Sequence, residues 1–295
     1  MDQTQSPLFS ILIAMYNNGR YFKECYDSIL GQSYENWEVI IVDDCSTDNS
    51  LEIMRTIIAE DGRFKILRNE TNSKCGATKR RCVELSSGEF FGFLDSDDFL
   101  EPHALELSVK ALLANKEAAL SYSNHYRFND GDISNRQGQK KYSSIHSESI
   151  ISFTNGFESL PFHFVAFRRS LYDKTAGLDS MFTRGVDFDL FAKMEEVGSF
   201  VFIDDCLYNY RVHNNNISLG LNLFNSIIWI IVAIYEACKR RGDPNFEKYA
   251  SNFLRIHFSP SLQKYIVVGR VICNPSLIIG ITKKRLKNIF NFYNH

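Results

Sequence analysis

A cationic excess is missing from this chain. Its 33 Lys and Arg stand against 35 Asp and Glu, for a formal net charge of −2. Without a basic surplus the electrostatic footprint of a nucleic-acid binder is absent, and no such partner is expected. Long apolar runs are missing too. The longest, Ile227 to Ile234, falls far short of the ~20 residues that a membrane-spanning helix needs. Met1-Asp2-Gln3-Thr4-Gln5 shows neither the basic start nor the apolar stretch of a secretory leader. The seven cysteines, Cys25, Cys45, Cys75, Cys82, Cys206, Cys238 and Cys273, are odd in number and form no Cys-x-x-Cys pair. That argues against a zinc site or a disulfide framework and for reduced thiols. These absences predict a cytoplasmic protein.

What is present is an ordinary globular composition, 44 % hydrophobic, with 24 Phe and 14 Tyr among 295 residues. That is enough for one large α/β domain with an appendage. Up to residue 125 the pattern alternates. Apolar runs at Leu8 to Met15, Glu38 to Val42, Phe64 to Leu67, Phe90 to Leu94 and Ala119 to Tyr122 read as strands. Helical stretches through Phe22 to Leu30, Leu51 to Ala59, Gly76 to Leu85 and from Pro102 onward separate them. Alternation at this spacing predicts βαβ units and a mostly parallel sheet flanked by helices. Residues 129–149 read as a polar loop or loose hairpin. A strand-like Phe162 to Phe167, a helical Asp187 to Glu195 and a helical tail from 217 follow.

Ligands of such sheets gather beyond the carboxyl ends of the strands, and two strand ends are acidic. Asp95-Ser96-Asp97-Asp98 puts three carboxylates in four residues, which repel one another unless a cation or hydrogen-bond donors sit among them. Oxygen donors suit a hard ion, Mg²⁺ or Mn²⁺, while the bland alternative is a turn or helix cap. Asp43-Asp44 ends the second strand and could serve a nucleoside or simply cap the next helix.

Four ordered stretches resemble family 2 glycosyltransferases, inverting enzymes of the GT-A fold, of the kind that builds bacterial surface polysaccharides. Phe9 to Asn17 is similar to the family's opening strand and Tyr-Asn turn, and Ser28 to Ser33 to its Ser-Ile-x-x-Gln segment. EVIIVDDCSTDNS, residues 38–50, matches the second strand, and Gly88 to Asp98 matches the approach to the metal-binding DXD motif. The resemblance implies transfer of a sugar from a nucleotide diphosphate sugar to the hydroxyl of a saccharide or lipid-linked saccharide, with Mn²⁺ or Mg²⁺. By position, Asp44, Ala14 and Tyr16 would line the base pocket. Asp95 and Ser96 would face the ribose and metal, Asp97 would be the principal metal ligand, and Lys79 would lie near the nucleotide. Ala14 replaces a frequent proline. Cys45 replaces a usual glycine, and would be strained if that turn needs a positive φ.

The family takes its base from a Glu-Asp pair heading a helix. Here Asp187 holds the aspartate place, Val186 stands for the glutamate, and Asp189 is the fallback. Asn209 to His213 resembles the family's Tyr-Arg-x-His segment, which makes His213 a metal-ligand candidate and Arg211 a candidate for the diphosphate. The expected divisions are a nucleotide-sugar half at 1–125, an acceptor half with the base at 126–216, and a helical extension at 217–295. In that extension Lys239-Arg240-Arg241 follows the apolar run, and Lys283, Lys284, Arg285 and Lys287 follow Tyr265 to Ile281. Such stripes pack on a core, form a homodimer interface, or lie on the inner face of a membrane; packing is the commoner case. A sugar nucleotidyltransferase and a non-catalytic sugar-nucleotide binder are the rival readings.

Overall fold

A computed structural model describes residues 6–139, 149–152, 164–213 and 223–257. The first half alternates as expected: β1 (Phe9–Met15), α1 (Phe22–Leu30), β2 (Trp37–Asp43), α2 (Ser50–Ile58), β3 (Phe64–Arg68), α3 (Lys74–Leu85) and β4 (Phe90–Phe93). Then come β5 (Phe99–Leu100), α4 (Ala104–Ala114), β6 (Ala118–Asn129), β7 (Gln137–Gln139), β8 (Val165–Arg168), α5 (Arg169–Tyr172), α6 (Val186–Glu195) and β9 (Ser199–Val212), followed by α7 (Leu223–Arg241) and α8 (Phe246–His257).

The strands form one sheet in the order β3-β2-β1-β4-β8-β6-β9-β5, with β7 on β6. The pairs among β3, β2, β1 and β4 are parallel. Beyond β4 the sheet is mixed: β8 runs antiparallel to β4 and β6, and β6 and β9 run parallel. Both faces of the parallel half are covered, which is why its strands read as unbroken apolar runs. Phe9, Ile11 and Ile13 of β1 join the cluster containing Phe22, Cys25 and Ile29 of α1 and Leu105 and Leu112 of α4. Leu12 joins the opposite cluster, with Cys82 of α3, Phe191 of α6 and Ile231 of α7.

The differences lie in the second half. The fifth strand runs on to Asn129, so the expected boundary at 125 falls inside β6 and the two halves share one sheet. Part of the polar loop is ordered as a turn at Ile133–Asn135 and as β7. The 14-residue β9 was not foreseen. Tyr265 to Ile281 and the basic residues after it lie outside the described residues.

Among the described residues no helix is long and apolar enough to cross a membrane. At the basic end of α7 two residues pair with protein, Arg240 with Glu196 and Asp189 and Arg241 with Glu195 and Glu196, while Lys239 is exposed.

Candidate active site

The loops after β1 and β2 are stitched together. Asn17 Nδ2 donates to Thr47 Oγ1 at 3.1 Å, the Thr47 amide to Asn17 Oδ1 at 2.9 Å, and the Asn17 amide to Ser46 Oγ at 3.0 Å. Asp43 is fully buried and accepts from the Ser46 amide, with Arg68 beside it, so it shapes the turn. Asp44 takes three donors: Asn69 Nδ2 at 2.7 Å and the Ser73 amide at 2.7 Å on Oδ1, and the Lys74 amide at 2.9 Å on Oδ2. Ala14 is half-buried at the end of β1, and Tyr16 stands exposed beside it. Cys45 does adopt the left-handed region, at φ 62°, as do Asn17 and Lys74. Such residues cost roughly 1–3 kcal/mol each and persist only where neighbours over-determine them. The stitched loops do that.

After β4 the chain turns through the acidic cluster, the Asp98 amide donating to the Asp95 carbonyl at 3.0 Å. Its members part company here. Asp98 is buried, accepting from Tyr208 Oη at 2.6 Å and the Arg211 amide at 2.7 Å, and so anchors the loop to β9. Burial, with Asp97 and Asp95 nearby, pushes its carboxyl well above the usual range against the pull of those donors. Ser96 is buried beneath the turn. Asp97 Oδ2 stands 2.8 Å from Nε2 of His213, whose ring rests 5.0 Å from that of Tyr21. Asp95 opens to the crevice. Desolvation lifts its carboxyl to about 6, opposed by Lys79 and reinforced by Asp97 and Asp187.

Arg211 does not present an open guanidinium to the crevice. It is 4 % exposed, donates Nε to the Asp97 carbonyl at 2.8 Å, pairs with Glu24 and with Asp130 at 3.1 Å, and lies against Tyr21 and Phe128. This geometry favours a clamp on the Asp97 backbone over the expected direct grip on a diphosphate.

On the other wall, Asp187 occupies the first turn of α6, just past Gly185 at φ 63°. A Cβ on Gly185 would come within 3.3 Å of Ile230 on α7. Asp187 is 54 % exposed and accepts from Lys79 Nζ at 2.8 Å. Val186 turns into the core. Asp189, the fallback base, is buried and held by Lys193 at 2.6 Å and Arg240 at 3.5 Å, which commits it to the helix interface. The walls are close enough to act on one another electrically: Cys75 on α3 is within reach of Lys79, Asp187, Asp95 and Asp44. Carboxylates following β2, in the β4 loop and on α6 therefore lie around the same stretch of α3.

Reading the sequence missed Glu24, Tyr21 and Asp130 as the far side of the Arg211 clamp, and Asn69 and Thr78 behind Asp44. No motif carries them. Only a buried arginine next to an acidic cluster hints that carboxylates must come from elsewhere in the chain.

Residues 10–175 match the profile of Glycosyl transferase family 2. The chain belongs to this family. It is 30 % identical over 273 residues to the glycosyltransferase GlyG of Streptococcus pneumoniae, covering 88 % of each chain. It is 33 % identical over 241 residues to the hyaluronan synthase of Pasteurella multocida, covering 80 % of this chain but 24 % of that one. It likewise spans only 21 % of the chondroitin synthase of the same species. Among solved structures, S. aureus TarS 1–349 in complex with UDP-GlcNAc superposes with a TM-score of 0.64 at 19 % identity, over 88 % of this chain and 75 % of that one. The mannosyltransferase PcManGT of Pyrobaculum calidifontis, in complex with GDP-Man and Mn²⁺, gives 0.63 at 13 % identity, over 97 % and 84 %. Both share the GT-A fold. For this family 2 chain, membership removes the nucleotidyltransferase alternative.

Proposed function

We propose that this family 2 chain transfers a sugar from a nucleoside diphosphate to an acceptor hydroxyl, with inversion, on a saccharide or lipid-linked saccharide of a surface polysaccharide. The observation that carries the reading is the 2.8 Å contact of Lys79 with Asp187, with Asp95 close enough to both to act on their charges.

In this reading the acceptor oxygen attacks the anomeric carbon, the bond to the phosphate oxygen breaks, and the nucleoside diphosphate departs with the electron pair. Asp187 accepts the hydroxyl proton. It is exposed enough to meet an acceptor, and Lys79 occupies only Oδ1. Asp44 serves the nucleoside. A carboxylate has about four lone-pair sites, and three are taken, so the fourth is left to accept an N–H of the base. Ala14 and Tyr16 flank it.

Asp97, Asp95 and His213 are the residues that would hold a divalent ion, two carboxylates that repel one another and one imidazole, with Asp97 and His213 already 2.8 Å apart. Among the described residues no three such side chains close around one point, so an ion there would complete its shell from phosphate and water, as Mg²⁺ and Mn²⁺ do. Bound there, it would neutralise charge on the departing diphosphate. The Asp97 backbone is held ready by Arg211. With Val186 buried, acceptor contacts made elsewhere by a glutamate must come from other residues.

The test is a panel of UDP- and GDP-sugars with saccharide acceptors, with Mn²⁺ or with EDTA. Nucleoside diphosphate should appear only with metal and acceptor. Asp97→Ala should lose metal-dependent nucleotide binding, and Asp187→Asn should bind donor but not transfer. Binding without turnover by the unaltered protein across the panel would favour a non-catalytic sugar-nucleotide binder.

A further inference from the structure

Lys79 was expected beside the nucleotide, yet its ammonium points across the crevice at Asp187. The two ends of that 2.8 Å contact differ: the lysine side chain is 7 % exposed and the aspartate 54 %. The buried end is the fixed end. Lys79 projects from the middle of α3 with its Nζ 4.9 Å from the centre of the Phe93 ring. Asp187 stands on the first turn of α6, and Lys79 is the one side-chain hydrogen-bond partner shown for its carboxylate among the described residues. An exposed aspartate without such a partner samples several staggered rotamers.

A second contact joins α3 to the loop that leads into α6. The Gly76 amide donates to the Phe182 carbonyl at 3.0 Å, and a Cβ on Gly76 would sit 2.4 Å from that oxygen. Gly76 and Lys79 are three residues apart and share one helix face. The face of α3 therefore seizes the base-bearing segment twice, once by backbone and once by charge. The Ser73 and Lys74 amides, at the start of the same helix, reach Asp44.

We propose that Lys79 is a positioning residue for the base: it grips Asp187 Oδ1 and so aims Oδ2 at the acceptor hydroxyl, rather than holding the donor nucleotide. The proposal rests on Asp187 being the base. Lys79 remains a cation throughout, because Asp187 and Asp95 outweigh the burial that opposes its charge and hold it above the ordinary lysine value.

The test compares Lys79→Met, Lys79→Arg and Asp187→Asn in the full chain. UDP and GDP binding with Mn²⁺ is read by calorimetry, folding by thermal melting, and turnover with the donor and acceptor that the panel above selects. Lys79→Met should leave nucleotide affinity unchanged while kcat falls on the order of 100-fold, the cost of a misplaced reacting group. Lys79→Arg should recover most of that loss, and adding Lys79→Met to Asp187→Asn should lower turnover no further. Should the methionine variant melt early, Lys79→Gln makes the same comparison. Weakened nucleotide binding with kcat preserved, or no effect on either, overturns the proposal. An active Asp187→Asn protein instead overturns the base assignment, whatever the Lys79 variants do.

Discussion

Replacing Arg211 by Met separates two roles that its position allows. The guanidinium is almost sealed from solvent and serves the Asp97 carbonyl, Glu24, Asp130 and two ring faces. Losing a charge-assisted bond to the Asp97 carbonyl costs about 1.5–3 kcal/mol. Glu24 and Asp130 are 47 % and 40 % exposed, so both can rehydrate, and each pair is worth no more than about 1 kcal/mol. The stacked rings add about 0.5–2 kcal/mol. Part of this returns because methionine keeps apolar contact with the rings. The expected destabilisation is about 2–4 kcal/mol, read as the difference in urea unfolding free energy at constant m. Nucleotide affinity without metal should hold, while its enhancement by Mn²⁺ should shrink as the Asp97 loop loosens. A variant as stable as the parent that loses metal-free diphosphate affinity would refute the clamp and restore the direct phosphate contact.

Two further substitutions test the scaffold. Glu38 is held at about 2 against a usual 4.5: burial alone would raise it, but the Ser87 amide, Lys65 and the hydroxyls of Ser10 and Ser87 prevail. A depressed carboxylate adds stability that is fully present above its unfolded value and is lost as pH falls through its folded one. Discounted for the half-exposed Lys65, that contribution is about 2 kcal/mol. Glu38→Gln should therefore cost about that much at pH 7 and progressively less below pH ~4.5; a gap constant with pH in chemical denaturation would contradict it. Gly76→Ala forces a methyl onto two backbone carbonyls, Phe182 and Asp179, at 2.4 and 2.5 Å. It should cost about 1–3 kcal/mol in unfolding free energy and reduce turnover more than nucleotide binding; an unchanged melt and kcat would show that the loop gives way freely.

The parallel half of the fold was legible because β1, β2 and β4 are buried on both faces and carry little but apolar residues. The mixed half hid itself. The later part of β6 buries Ser123, Asn124 and His125, polar residues that carry no apolar strand pattern. β9 is interrupted by Asp204 and Asp205, where its register with β6 shifts. The acidic strand ends were visible as letters, but their division of labour was not. Asp98 and Asp97 are neighbours in sequence and differ because Tyr208 and the Arg211 amide, more than a hundred residues away, reach only one of them. The same is true of Asp187 and Asp189, one facing the crevice and the other tied to Lys193 and Arg240.

That contrast supplies a criterion for finding chemistry among many carboxylates. Asp43, Asp98 and Asp189 are each buried and each meet at least two donors or cations. Removing any of them leaves buried donors unmet, so their loss should register as instability. Asp97 meets His213, Asp187 meets Lys79, and the Asp95 carboxylate has no hydrogen-bonding partner among the described residues. Such groups keep lone pairs available in a crevice where desolvation, with Asp97 and Asp187 nearby, raises Asp95, and a site that holds uncommitted negative charge needs a cation or a proton to complete it. Asp44 stands between the classes, three donors on a group with room for one more, which is what a fixed recognition element requires. Structural carboxylates are those that the fold itself neutralises with its own donors and cations. In this crevice the remainder is directed at what binds.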